Sequence, residues 1–202
     1  PSCGNVNRVR SKTAVPAVIG LLFLGNGSAS AQAAQEGDIE VLSQYPHDEN
    51  AFTEGLLLYN GFLFESTGLE GESSLRKVDV ETGEVLQQID LGSEYFGEGL
   101  ARVNDRLIQL TWLEKTAFVY DLETFEQTGI YSYSGEGWGL CYDGSMLIMS
   151  NGSSRLSFRD PETFAETGAL EVTLNGSPLS DINELECVGA EVYANAASHA
   201  SA

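Results

Sequence analysis

The sequence predicts an all-β fold of the β-propeller type, and three observations carry this prediction. A short phrase ending in leucine recurs four times, and the steps between its leucines are 44, 40 and 45 residues. Each phrase is followed by a turn signal and then by an apolar run of strand length. No stretch keeps a helical period. Four short antiparallel strands per repeat of about 40–45 residues are typical of a propeller blade.

The recurring phrase predicts the innermost strand of each blade. Its four copies are Phe52-Thr53-Glu54-Gly55-Leu56, Phe96-Gly97-Glu98-Gly99-Leu100, Glu136-Gly137-Trp138-Gly139-Leu140 and Ile182-Asn183-Glu184-Leu185. The glycines suit strands that crowd around an axis. The position two residues before the leucine varies, and it holds Glu54, Glu98, Trp138 and Asn183. If rotation relates the units, these four side chains meet at one place.

The remaining strands follow in each unit at similar spacing. Asn, Asp and Gly pairs predict hairpin turns, after which second strands are expected at 62–66, 107–112, 146–150 and 192–195. A second shared phrase begins at Asp79, Asp121 and Asp160, whose carboxylates can accept bonds from turn amides. Fourth strands are expected at 85–91, 129–133 and 169–174. Ile39–Ser43 is expected to form the outer strand of the last blade.

The count of blades predicts an open ring. Three units are complete, and the fourth stops after its second strand, so that about three and a half blades occupy residues 36–195. Residues 196–202 form an atypical tail without a strand pattern. A propeller closes with typically four to eight blades, and an open edge favours aggregation.

Residues 1–35 have the pattern of a secretory signal peptide. Arg8, Arg10 and Lys12 precede an apolar run from Ala14 to Leu24, and Ala29-Ser30-Ala31 resembles a cleavage site. The run is too short to span a membrane, which needs about 20 apolar residues. The protein is therefore expected to be exported, to the periplasm or outside the cell, and to leave the membrane after cleavage.

The chain after the leader is strongly acidic. Seven Lys and Arg against 30 Asp and Glu give residues 36–202 a formal charge of −23. Such a surface repels phosphate backbones and anionic membranes, which argues against nucleic-acid and membrane partners. A solvated acidic surface that keeps an exported protein soluble is the preferred interpretation. The protein is expected to be a monomer.

The cysteines leave two alternatives open. Cys3 lies in the leader, whereas Cys141 and Cys187 follow the repeat leucines by one and two residues. In an exported protein they could form a disulfide, or they could be two small buried thiols. Neither the cysteines nor the isolated His47 and His199 have the spacing of a metal site.

The motifs together resemble one enzyme family. The two Glu-containing phrases, Glu65-Ser66-Thr67-Gly68, Gly137-Trp138-Gly139-Leu140 and Asn183-Glu184-Leu185-Glu186 are similar in order and spacing to the plant and bacterial type of glutaminyl-peptide cyclotransferase. The resemblance covers about residues 45–195. It implies a five-bladed propeller and an acyltransferase that converts N-terminal glutamine of peptides or proteins to pyroglutamate, with release of ammonia and without catalytic zinc or another cofactor.

The resemblance also implies roles for the acidic repeat positions. Glu98 matches the glutamate that transfers the proton, and its glycine neighbours would allow close approach of substrate. Phe52 and Glu54 match a Phe-Thr-Gln phrase of the site. Because Glu54 stands where the family has Gln, a second acid near Glu98 could raise the pKa of one of them. The alternative for Glu98 is a solvated acid at a strand end.

The amide and indole positions complete the implied pocket. Trp112 and Trp138 match aromatic residues that line it, and Asn183 matches an amide that would bond the substrate carboxamide or the oxyanion. Core packing for the indoles and a strand-end cap for Asn183 are the structural alternatives. Ala197 stands where the family has a tryptophan, and the lysine of the fifth blade is absent, so one wall of the pocket is expected to be missing.

Two other interpretations compete with an enzyme. A non-catalytic propeller could bind a peptide or small ligand in its channel, since propellers host unrelated functions. Alternatively, the truncated ring could be inactive. Neither alternative requires Glu98 together with two channel indoles.

Overall fold

The computed structural model describes residues 17–22, 31–38 and 40–196, and the regular elements in these ranges are β-strands. The tail from Ala197, most of the predicted leader and Ile39 lie outside the described residues. Three short strands come first, β1 (Ala17–Leu22), β2 (Ala31–Ala33) and β3 (Gln35–Gly37). Among the described residues there is no helix long and apolar enough to cross a membrane.

The first two repeats each form a four-stranded antiparallel sheet. The strands of the first are β4 (Thr53–Tyr59), β5 (Phe62–Thr67), β6 (Ser74–Asp79) and β7 (Val85–Asp90), paired in that order. The strands of the second are β8 (Gly97–Val103), β9 (Arg106–Thr111), β10 (Thr116–Asp121) and β11 (Gln127–Ser132). In both sheets the strands pair in the order in which they occur in the sequence, which confirms the predicted blade pattern.

The third and fourth repeats continue the pattern with additions. The third sheet contains β12 (Leu140–Tyr142), β13 (Leu147–Met149), β14 (Arg155–Arg159), β15 (Glu166–Leu174) and β16 (Ser177–Pro178), and β2 pairs with β15. The fourth repeat supplies β17 (Ile182–Val188) and β18 (Glu191–Ala196). Four sheets thus follow one another along the chain, as blades of a propeller do.

The fourth sheet differs from the prediction. β18 pairs with β1, from Ala17 opposite Ala196 to Leu22 opposite Glu191, and β3 forms the outer edge. Residues 40–43 form no strand, and Val41 and Leu42 are 67% and 85% exposed, so the predicted outer strand at Ile39–Ser43 is wrong over its described part. The physical reason is that β1 already pairs with the free edge of β18, and β3 pairs in turn with β1. The leader boundary at residue 35 stays a prediction, although β1 lies within that segment.

Apolar residues pack between neighbouring blades. Leu107 belongs to the cluster between the first and second sheets, whereas its neighbour Ile108 belongs to the cluster between the second and third. Leu147 and Ile148 divide in the same way between the last two clusters. Side chains that alternate along a strand therefore bury both faces of each blade.

The inner strands approach too closely for side chains at the predicted glycines. A Cβ on Gly55 would lie 2.7 Å from the amide nitrogen of Leu100, and one on Gly99 would lie 2.4 Å from the carbonyl oxygen of Trp138. A Cβ on Gly139 would lie 2.2 Å from the carbonyl oxygen of Asn183. The phrase is therefore glycine-rich because each inner strand packs on the backbone of the next.

The disulfide alternative for the cysteines is the one that forms. Cys141 on β12 and Cys187 on β17 are bonded, with a Cα–Cα distance of 5.5 Å. This separation is within the range that a disulfide spans without backbone movement. The bond links the inner strands of the third and fourth blades.

The shared aspartate phrase makes the same turn three times. Oδ1 of Asp121 accepts hydrogen bonds from the amides of Glu123 and Thr124 and from the Thr124 hydroxyl, at 3.1, 2.9 and 2.9 Å. Asp79 and Asp160 accept the equivalent three bonds. The prediction from the second shared phrase is confirmed, and it makes the repeat visible in the hydrogen bonds as well as in the sequence.

Replacing Asp121 by Ala is expected to lower the melting temperature by about 2–4 °C, because one turn loses three bonds. These bonds, first from the Thr124 amide, lower the pKa of Asp121. Its contribution is therefore present above the ordinary carboxyl pKa and is lost as pH falls through the lowered value. Thermal melts at neutral and acid pH measure it, with Glu123→Gln on the same turn as the control. Equal melting of Asp121→Ala and the unchanged protein would contradict this role.

Candidate functional site

The four variable repeat positions lie at the same end of the inner strands. Glu54, Glu98 and Asn183 are each the second residue of their strand, and Trp138 comes two residues before β12. The Gly99 amide donates to the Trp138 carbonyl oxygen at 2.7 Å. The structure thus brings the four predicted positions together around the axis.

Glu98 is a buried acid with an unused oxygen. It is 6% exposed, and its Oε2 has no hydrogen-bond partner among the described residues. Burial and, after it, the carboxylates of Glu54, Glu114 and Glu136 in that order raise the pKa of Glu98 to about 9. The sequence-based expectation that Glu54 perturbs Glu98 is confirmed. At neutral pH Glu98 is therefore a carboxylic acid that can donate a proton.

The side chains of Glu54 and Asn183 form a hydrogen-bonded pair. Burial raises the pKa of Glu54, and a hydrogen bond from the Asn183 side chain opposes the shift. The Oδ1 of Asn183 is buried and has no partner in the described chain. With its amide group on Glu54, Asn183 keeps its Oδ1 as an acceptor, which suits a substrate carboxamide N–H.

Glu184 is an acid of the site that the sequence reasoning did not select. Its Oε1 accepts the Leu56 amide at 3.4 Å, whereas its Oε2 is buried without a partner in the described part of the chain. Burial raises the pKa of Glu184 well above its ordinary value, and the charges of Glu186 and Glu98 add to this. Only its place beside Asn183 in the repeat phrase could have indicated it.

Buried polar contacts fix the strands that carry the two acidic phrases. The buried Glu65 accepts the Thr53 hydroxyl, and its Oε1 lies 2.8 Å from Nε2 of His47, which looked isolated in the sequence. Between the first two blades, Nε2 of Gln109 donates to the Ser66 hydroxyl oxygen at 2.8 Å. These contacts hold the inner strands in register, so that Glu54 and Glu98 have fixed positions.

An aromatic wall borders the acids. The rings of Phe52 and Phe96 meet edge to face with centroids 6.1 Å apart, and Phe96 contacts Trp112 in the same way at 5.7 Å. Phe52 and Trp112 are 48% and 37% exposed, which leaves ring faces open to a ligand. The sequence predicted Phe52 and Trp112 but not Phe96, although Phe96 begins the second copy of the phrase.

The two tryptophans share one acceptor. Oε2 of Glu136 accepts the indole N–H of Trp112 at 2.8 Å and that of Trp138 at 3.0 Å. The Trp138 ring also lies against Gly152, where a Cβ would come within 2.7 Å of Cζ2. Trp112 follows β9 and Trp138 precedes β12, so Glu136 joins the rims of the second and third blades.

Two further features bound the site. In the ranges that the structure describes, no group of three or more His, Cys, Asp or Glu could hold a metal ion. A separate cavity of about 330 Å³ lies at the other ends of the inner strands, lined by residues after the repeat leucines, including Arg102, Tyr142 and the disulfide. The candidate site and this cavity are therefore at opposite ends of the channel.

The chain resembles known proteins over most of its length. The family model described as glutamine cyclotransferase matches residues 15–201. A glutaminyl-peptide cyclotransferase of Arabidopsis thaliana is 44% identical over 174 residues, which cover 84% of this chain and 54% of that protein. The chain therefore spans about half the length of this curated relative.

Solved structures give the same picture. The crystal structure of Myxococcus xanthus glutaminyl cyclase matches with a TM-score of 0.72 and 39% identity, over 83% of this chain and 69% of that one. The WD40 repeats of RRP9 match with a TM-score of 0.53 at 12% identity, over 71% of this chain and 44% of that one. The second likeness concerns the fold alone, and WD40 repeats are propeller blades.

Proposed function

Since the chain belongs to the glutamine cyclotransferase family, we propose that it converts the N-terminal glutamine of peptides or proteins to pyroglutamate with release of ammonia. The observation that carries the proposal is Glu98, a buried acid with an unpaired oxygen and a pKa raised to about 9, beside two indoles that share an acceptor.

The reaction moves one proton between two nitrogens of the same residue. The α-amine attacks the side-chain carboxamide carbon, a C–N bond forms, and the carbonyl oxygen takes up negative charge. Glu98 donates its proton to the departing nitrogen, the old C–N bond breaks and ammonia leaves. The proton of the attacking amine then restores Glu98. A neutral acid suits this sequence because it starts with the proton that the leaving group needs.

The neighbouring side chains would hold the glutamine in its reactive pose. Phe52, Trp112 and Trp138 pack against its aliphatic part, and indole faces attract an α-ammonium group before it loses its proton. The free Oδ1 of Asn183 accepts from the carboxamide N–H. Glu54 orients Asn183, and burial together with the charge of Glu54 keeps Glu98 protonated. Holding amine and carboxamide together supplies much of the rate in an intramolecular step.

Ammonia release from a Gln-initiated peptide tests the proposal. The purified chain is expected to release ammonia from this peptide, so that the mass of the peptide falls by that of one ammonia molecule. The same peptide with an acetylated N-terminus is the control, because it lacks the attacking amine. A version extended by a fifth blade shows whether inactivity of the given chain is caused by its length or by the residues of its site. If both versions fold and bind the peptide without releasing ammonia, the non-catalytic binding alternative replaces the enzyme.

We also propose that the protein is exported and acts as a monomer on peptides, without nucleic-acid or membrane partners. The basic start, the apolar run and the small-residue site of residues 1–35 support export, and so does the Cys141–Cys187 disulfide. Cell fractionation and the mass of the mature chain test this. A mature N-terminus after residue 35 removes β1 from the edge of β18, whereas an exported chain that keeps β1 contradicts the predicted leader.

A further inference from the structure

The two tryptophans of the chain are tied by a single carboxylate oxygen. Trp112 and Trp138 are the two tryptophans in the sequence, and both donate their indole N–H to Oε2 of Glu136. Trp112 comes from the second blade, and Trp138 enters the third. One acidic side chain thus connects two rings that belong to different blades.

The backbone around Glu136 is built to hold it there. The Gly137 amide donates to the Trp112 carbonyl oxygen at 3.0 Å. A Cβ on Gly137 would lie 2.2 Å from the Tyr133 hydroxyl and 2.7 Å from the Thr111 carbonyl oxygen. The segment therefore passes against the end of β9 at a position that admits only glycine, and this fixes where the side chain of the preceding residue, Glu136, can reach.

Glu136 accepts hydrogen bonds from the two indoles, and it is in no ion pair among the described residues. Within the described ranges, the acidic partners in ion pairs are Asp48, Glu65, Glu162 and Glu166. Glu136 is not among them, although Arg155 and Arg159 line a neighbouring cavity of about 190 Å³ with it. Arg155 and Arg159 instead approach Glu166. Two N–H bonds to an anion are stronger than bonds between neutral groups.

We propose that Glu136 is a positioning residue that holds Trp112 and Trp138 as one preformed wall for the N-terminal glutamine, an inference that rests on the proposed function. Trp112 is 37% exposed, and a free ring at such a site would lose rotational freedom when substrate binds. Fixing both rings beforehand removes that cost. An anionic acceptor also makes the indole faces more attractive to the substrate α-ammonium group.

The indole N–H signals test the contact without any activity. Each tryptophan gives one such NMR signal, and a strong hydrogen bond moves it downfield and slows its exchange with water. In Glu136→Ala both signals are expected to move upfield and to exchange faster, whereas Glu136→Gln, which keeps an acceptor, gives smaller shifts. Glu123→Gln is the matched control and leaves both signals in place. Movement of one signal alone, or of neither, would overturn the inference.

Peptide kinetics then test what the contact does. Glu136→Ala is expected to lower kcat/KM about tenfold or more, mainly through a higher KM, because the two charge-assisted hydrogen bonds that position the rings are lost. Glu136→Gln is expected to recover most of this loss. An active enzyme in which Glu136→Ala leaves KM unchanged overturns the positioning role alone. If neither the unchanged chain nor the extended version releases ammonia, the proposed function is overturned, while the NMR result still decides the contact.

Discussion

Replacing Glu98 by Gln is expected to lower kcat for a Gln-initiated peptide by about 10²–10⁴-fold while changing KM little. The amide has nearly the shape of the buried acid and makes a similar contact, but it cannot carry a proton between two nitrogens. Steady-state ammonia release measures the effect, and Glu123→Gln serves as the exposed control. Turnover that survives in Glu98→Gln would show that the proton travels by another route.

The same residue predicts how activity depends on pH. Since the pKa of Glu98 is raised to about 9, the protonated form is present at neutral pH, and kcat/KM is expected to fall as pH rises through about 9. Glu54 is the charged neighbour with the largest effect after burial. In Glu54→Gln the alkaline fall is therefore expected at lower pH. An alkaline limb that does not move would mean that the limb belongs to another group.

Replacing Glu98 by Gln should change stability in the opposite direction to activity. A carboxyl whose folded pKa is raised binds a proton in the folded state that the unfolded state has released, so stability falls as pH rises from about 4.3 to about 9. Glu98→Gln removes this penalty and is expected to be more stable than the unchanged protein at neutral pH. Such a variant, more stable and less active, is the usual result of removing a strained catalytic group.

The sequence predicts well those features that repeat. The leucine phrase, the Asn-Gly turn at Asn60-Gly61 and the Asp121 phrase each depend on a few neighbouring residues, and both turn residues have the positive φ angles, 51° and 81°, that such a hairpin needs. Because the blade repeats, one correct interpretation serves for all copies. The shared position of Glu54, Glu98, Trp138 and Asn183 follows from the same rotation.

The sequence predicts poorly those features that depend on which blades touch. Glu136 reaches both indoles only because the rims of two blades adjoin, and Phe96 becomes part of the wall only through its neighbours Phe52 and Trp112. Glu184 looks like one more acid among 30 until its buried oxygen is seen. Likewise, β1 pairs with the open edge of β18, a strand that lies far away in the sequence. No local pattern encodes such contacts.

The second large effect concerns the disulfide. Replacing Cys141 and Cys187 by Ser, singly or together, is expected to lower the free energy of unfolding by about 4 kcal/mol. The bond closes a loop with a sequence separation of 46 residues and so restricts the unfolded chain. Urea denaturation with and without a reductant measures it. Reductant is expected to destabilise the unchanged protein and to leave the double variant as it is.

The two single variants and the double variant should lose the same amount, because either change removes the whole bond. Losses that add would show instead two independently packed thiols. The bond matters most for the fourth blade, whose own repeat supplies the β17–β18 hairpin within the described residues, and a lone hairpin is marginal in water. Cys187 lies four residues beyond Asn183, so opening the bond should also loosen the amide in the site. Reductant should raise the KM for the Gln-initiated peptide in the unchanged protein and leave the KM of the double variant unchanged. This result would show that the same bond stabilises both the fourth blade and the pocket.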